Sequence, residues 1–153
     1  MAKNKYAWAT AKSFKEANYI LFGVPDESGN RAPRKGASKG PNALRKVSRE
    51  RGIVNRNGEK SLVQPTHGKL TETIFDAGNI KKSQVKSFVK KIVNAGKKPI
   101  TIGGDHSITF KVLKGLNESV KKKFSLIYMD SHPDIICSEH YYYGSVVCDA
   151  MAF

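Results

Sequence analysis

Two short clusters in this chain carry side chains that could hold a metal ion. Gly103-Gly104-Asp105-His106-Ser107 is the first, and Asp130-Ser131-His132-Pro133-Asp134 is the second. In an extended segment, alternate side chains share one face. Asp130, His132 and Asp134 would then project together, an imidazole between two carboxylates. An oxygen-rich set with one or two imidazoles suits Mn2+, and ligand type alone leaves Zn2+, Fe2+, Co2+ and Ni2+ open. His106 would add a further nitrogen ligand. Asp105 and Ser107 read as residues that start a helix or support the ligands from behind. Gly103 and Gly104 allow a sharp turn and a close backbone approach. Taken singly, each cluster reads more often as an ordinary turn, with a surface histidine in one and a capping aspartate in the other. Found together at two strand ends, the clusters are far more specific.

The elements that would position them follow from the apolar pattern. Residues 99–103 and 124–129 are short apolar runs that read as buried strands, and each leads directly into one cluster. In open α/β sheets, sites form beyond the carboxyl ends of strands. Residues 18–25 read as another buried strand, closed by Gly23 and Pro25. A long loop is expected over 26–40, then a short helix with Pro41 at its first position and 42–49 behind it. Residues 50–70 read as irregular, with one short strand at 61–63, and 73–77 as a strand. The clearest helix is 83–95, with Ser83 as its N-cap and Gly96 just past its end. Val85, Phe88, Val89, Ile92 and Val93 form its single apolar stripe. A second helix is expected over 107–116. Strand alternating with helix predicts an α/β fold with a mainly parallel sheet, residues 1–153 forming one domain.

Composition narrows the function classes. The 153 residues are 39% hydrophobic and 26% charged, which disfavours disorder, collagen and disulfide miniproteins. No apolar stretch approaches the roughly 18 residues of a membrane helix, and no secretory signal is visible, so a cytoplasmic location is expected. Cys137 and Cys148 form neither a framework nor a C-x-x-C motif. Their spacing permits a bridge, but reduced cysteines are the simpler expectation, with Cys137 a buried thiol. Lys and Arg number 27 against 13 Asp and Glu, a net charge of +14. That charge attracts polyanions without base preference. The lysines are scattered and no aromatic-basic strand pattern occurs, so a solvated surface is expected rather than a specific nucleic-acid site. His67 reads as a surface loop residue and His140 as structural or solvated.

The two clusters resemble the first two metal motifs of the ureohydrolases, the arginase and agmatinase family. Phe22-Gly23-Val24-Pro25, the loop ending Gly36-Ala37-Ser38-Lys39-Gly40-Pro41, and Asp76-Ala77-Gly78-Asn79-Ile80 also fall where that family has similar segments. The agmatinase-like branch is the nearer of the two. The resemblance implies a three-layer α/β/α fold, a binuclear Mn2+ centre, and a homo-oligomer, commonly a trimer or hexamer. It implies hydrolysis of a small guanidino substrate such as agmatine to an amine and urea, through attack by a metal-bridging hydroxide. Carried over by position, His106, Asp130 and Asp134 serve one metal, Asp130 bridges, and His132 serves the other. That agrees with the absence of any recognisable Ser-His-Asp or Cys-His arrangement.

The chain also departs from the family. Members are longer and carry a third motif, Ser-x-Asp-x-Asp, whereas no Asp-x-Asp occurs in these 153 residues. The expectation is therefore an N-terminal part of the fold, in which residues 124–129 lack strand partners. Two divalent ions about 3.5 Å apart need ample anionic compensation. Asp130 and Asp134 offset two charges of four, so weak binding of a second ion is expected. Tyr143-Gly144 falls where many members have His-Gly. A tyrosine, with a reference pKa near 10, is a poor proton shuttle but can hydrogen-bond substrate. A non-catalytic relative that keeps the fold for assembly is the alternative, followed by nonspecific polyanion binding.

Overall fold

The computed structural model describes residues 5–56, 59–62, 72–120 and 122–152. In chain order the elements are β1 (Tyr19–Val24), α1 (Gly40–Gly52), β2 (Ile53–Arg56), β3 (Glu59–Leu62), β4 (Ile74–Asn79), α2 (Val85–Asn94), β5 (Lys98–Gly103), α3 (Ile108–Asn117) and α4 (Val146–Ala150). β1 is the central strand of a parallel sheet ordered β4-β1-β5. Tyr19 stands opposite Lys98, and Val24 opposite Gly103, so β1 and β5 end level with each other.

Period-2 alternation on β1 decides the layers. Ile20, Phe22 and Val24 are fully buried on one face, against Val85, Val89 and Ile92 of α2. Phe88 meets Phe22 edge-on at 5.1 Å. Full burial of each such side chain contributes about 1.5–3 kcal/mol. α3 lies against α2 at Gly115, where a β-carbon would stand 2.8 Å from the Lys86 carbonyl oxygen. The other face of β1 is marked by Gly23, whose β-carbon would overlap Asn79 Oδ1 and crowd Pro41. α1 therefore sits tightly on that side, with α2 and α3 on the first. This is the α/β/α layering that the family resemblance implies.

α1 is fastened by a buried ion pair that the sequence did not reveal. Arg45 Nε donates to Asp76 Oδ2 at 2.8 Å, and Nη2 donates to Asp76 Oδ1 at 2.9 Å. Nη2 also donates to the Gly78 carbonyl at 3.1 Å. Burial opposes ionisation of Asp76. The Arg45 guanidinium and the Tyr6 and Gly78 N–H groups outweigh it and hold the carboxyl below its usual range.

Four expectations are corrected. Within 50–70, β2 and β3 form an antiparallel hairpin, Ile53 opposite Leu62 and Arg56 opposite Glu59, rather than the single short strand expected at 61–63; residues 57, 58 and 63–70 lie outside the described residues. His67 lies outside the described residues. The 83–95 helix is preceded by a 3-10 turn, Lys82–Gln84, and Gln84 Oε1 accepts the Lys81 N–H at 3.0 Å, so Ser83 sits inside the turn rather than capping it. Residues 124–129 are not a strand. β5 pairs with β1 alone among the described residues, and no ladder takes 124–129. Ile127 is 85% exposed and Met129 93%. A strand without a partner leaves its N–H and C=O groups to water, and its apolar side chains then have no sheet to bury against. Cys137, finally, is exposed and disulfide-bonded to Cys148, because the loop folds back on α4 and brings the two Cα atoms to 5.5 Å. No helix among the described residues is long and apolar enough to cross a membrane.

Candidate metal centre

The turn after β5 is stitched to the end of β1. Gly104 N–H donates to the Val24 carbonyl at 2.9 Å, and Asp105 N–H to the Asp26 carbonyl at 2.9 Å. A β-carbon on Gly104 would overlap that Asp26 carbonyl, so the second glycine is required by a backbone-to-backbone approach. Asp105 is buried, and its Oδ1 accepts the Ser107 N–H at 2.9 Å and the Ser107 hydroxyl. Lys82 Nζ donates to Ser107 Oγ at 2.6 Å and stands 3.3 Å from Asp26 Oδ1. Asp105 and Ser107 thus build the start of α3, as their sequence position suggested. His106 projects from between them.

Three of the four predicted ligands meet. His106 Nδ1 lies 2.7 Å from Asp134 Oδ2 and 3.5 Å from Asp130 Oδ2. Among the described residues, His106, Asp130 and Asp134 are the one group of three or more His, Cys, Asp or Glu whose donor atoms all lie within 4.8 Å of one another. Donors on a single octahedral cation with bonds of about 2.1 Å stand about 3 Å apart. The separations of 2.7 and 3.5 Å from His106 Nδ1 bracket that value, and the two carboxylates match the charge of one divalent ion. Asp134 is 8% exposed, whereas the His106 and Asp130 side chains are 29% exposed, which leaves one side of the group open. The His132 N–H, together with the His106 and His132 imidazoles, holds the Asp130 carboxyl below its ordinary range.

His132 is placed apart. Its side chain is 80% exposed, with Nδ1 3.7 Å from Asp130 Oδ1. The chain does not continue extended past Met129. Asp130 Oδ1 accepts the His132 N–H at 3.0 Å, a tight local turn, and Asp134 takes φ 47°. The alternation that would align Asp130, His132 and Asp134 is broken at that turn.

Tyr128 is the residue that motif reading missed. Its hydroxyl donates to Asp134 Oδ2 at 2.6 Å and lies 3.4 Å from His106 Nδ1. Its ring stacks on the imidazole at 5.6 Å and 16°. Partial burial, then the neighbouring Asp134 carboxylate, push the phenol well above its usual range, so it remains a donor. The available signal was its position two residues before Asp130. Tyr143 lines a cleft of about 340 Å³ together with His132, Asp134, Ile135, Ile136 and Tyr142. His140 is held by the buried Asp149, Nδ1 to Oδ1 at 2.7 Å, in keeping with a structural role.

Known proteins share this arrangement of elements. The arginase family model matches residues 17–152. An agmatinase from Bacillus anthracis is 25% identical over 125 residues, spanning 80% of this chain and 42% of that protein. The agmatine ureohydrolase of Thermoplasma volcanium superposes with a TM-score of 0.79 at 23% identity, over 99% of this chain and 51% of that one. Trypanosoma cruzi formiminoglutamase, solved with Mn2+, gives 0.77 at 19% identity, over 95% and 51%. The chain therefore spans about half the length, or somewhat less, of the relatives it matches. With the family model covering all but its ends, the chain belongs to the arginase family.

Proposed function

We propose that this chain supplies the metal-holding part of a ureohydrolase that cleaves a small guanidino compound, agmatine or one like it, to an amine and urea. The observation that carries this reading is the convergence of His106, Asp130 and Asp134 on one point beside a largely apolar cleft. The donor set supports Mn2+, as does the Mn2+ in the formiminoglutamase relative. A divalent ion held there supplies Lewis acidity and lowers the pKa of water. His106 would give Nδ1 to it, and Asp130 and Asp134 one carboxylate oxygen each. Asp130 is kept anionic by the His132 N–H and so carries its charge at neutral pH. Tyr143, on the cleft wall, would hydrogen-bond the guanidino end of the substrate. His132 joins the set by resemblance alone, as the ligand of a second ion. Assembly as a homo-oligomer, trimer or hexamer, in the cytoplasm completes the reading. The Cys137–Cys148 pair would be a dithiol there, and the bridged form its oxidised counterpart.

The test is urea release from agmatine, arginine and related guanidino compounds after Mn2+ loading of a chain that also contains the Ser-x-Asp-x-Asp motif. The expected result is turnover of at least one of them, abolished by Asp130→Asn. Absence of turnover on every one would overturn the catalytic reading. A second reading, a non-catalytic relative retained for assembly, is favoured by the small donor set that meets among the described residues, one imidazole and two carboxylates. It predicts metal binding without urea.

A further inference from the structure

We infer that Tyr128 is a positioning residue of the metal centre, holding Asp134 and His106 in ligating orientation. The inference rests on the proposed metal reading and extends it to a residue outside both motifs. Asp134 sits at φ 47°, a backbone state uncommon for a side chain other than glycine. Its carbonyl is tied to α4 by the Val147 N–H at 3.0 Å. That bond anchors the backbone and leaves the carboxylate to be aimed by its own contacts.

Two groups aim it. His106 Nδ1 and the Tyr128 hydroxyl converge on the same oxygen, Asp134 Oδ2, at 2.7 and 2.6 Å. A carboxylate oxygen accepts through two lone pairs. For His106 Nδ1 to serve a cation, its proton would move to Nε2 or to solvent; its bond to Oδ2 would then end, and that lone pair of Oδ2 would be free for the same ion. The Tyr128 O–H keeps the other. It is then the side-chain contact that still orients the carboxylate, while the stacked ring limits rotation of the imidazole. Hydrogen-bond partners behind metal ligands commonly contribute 10–100-fold in affinity.

Mn2+ affinity is measured from the loss of the free-ion EPR signal for the wild-type chain, Tyr128→Phe and Tyr128→Leu. Circular dichroism checks that each variant is folded. Tyr128→Phe keeps the ring and removes the hydroxyl, and a weakening of about tenfold or more is expected. Tyr128→Leu also removes the stack and should bind more weakly still. Mn2+ addition should perturb the tyrosine ultraviolet band of the wild type, and this signal should be lost from folded Tyr128→Phe. A merely structural role would leave both readouts unmoved. Unchanged or tighter binding by folded Tyr128→Phe overturns the inference and leaves the metal reading standing. Failure of the wild type to bind overturns both.

Discussion

His106 contributes one atom, Nδ1, to a point where two carboxylates also arrive from a separate, later cluster of the chain. His106 is placed by the Gly103-Gly104 turn, Asp130 by its bond to the His132 N–H, and Asp134 by its unusual backbone angle. Removing any one donor leaves two, too few to hold a divalent ion against water. His106→Ala and Asp134→Asn are each expected to raise the Mn2+ dissociation constant at least tenfold, read by isothermal titration. At this scale the sequence showed the residue types that meet and the position of His106 just after a strand; Asp130 and Asp134 follow no strand. It could not show His132 turning outward, because that depends on where the chain leaves the extended state. Nor could it show Tyr128, whose role exists only once residues 124–130 fold back over His106.

Elements are fixed by pairs that the apolar pattern does not record. The Arg45–Asp76 bridge fastens α1 to β4 with both side chains almost wholly buried. Asp76→Ala leaves a buried guanidinium unpaired, and a loss of about 3–5 kcal/mol is expected from urea unfolding. The folded carboxyl titrates below its unfolded value. The pair therefore stabilises fully above about pH 4, and the contribution is lost as pH falls through the lower, folded value. Thermal midpoints of the wild type measured from pH 6 down to pH 3 should accordingly fall more steeply than those of Asp76→Asn. The Cys137–Cys148 bridge closes a loop with a sequence separation of 11. Its reduction should cost about 2–3 kcal/mol in the chain-entropy model, read as a lower unfolding midpoint in dithiothreitol that Cys137→Ser/Cys148→Ser reproduces without reductant. β1, β4 and β5 were legible as short apolar runs, and α2 and α3 from apolar side chains at helical spacing. The hairpin of β2 and β3 was not, since few apolar residues mark it. Residues 124–129 were misread because a strand pattern predicts a strand only where an edge is available to receive it.

The molecule as a whole carries two surface features with opposite tendencies. A net charge of +14 favours mutual repulsion and nonspecific attraction to polyanions. The apolar side chains of Phe124, Leu126, Ile127 and Met129 stand in water beside an open groove of about 370 Å³ between α3 and α4. Exposed apolar segments of this kind drive association. Sedimentation should therefore show concentration-dependent self-association at moderate salt, reduced in Ile127→Lys/Met129→Lys. Fold class was readable at this scale from strand-helix alternation, and the three layers from the family resemblance; that 124–129 would lack strand partners was expected too, but not which of its side chains would face water, since that depends on what surrounds them. Charge also limits the metal centre: two carboxylates compensate one divalent ion, so binding should saturate near one equivalent rather than two. A titration of Mn2+ into the chain, with bound metal counted per protein for the wild type and for Asp130→Asn, tests the convergence of His106, Asp130 and Asp134 most directly. The account predicts saturation near one ion per wild-type chain and loss of that site in folded Asp130→Asn; no saturable binding, or equal binding by the variant, would contradict it.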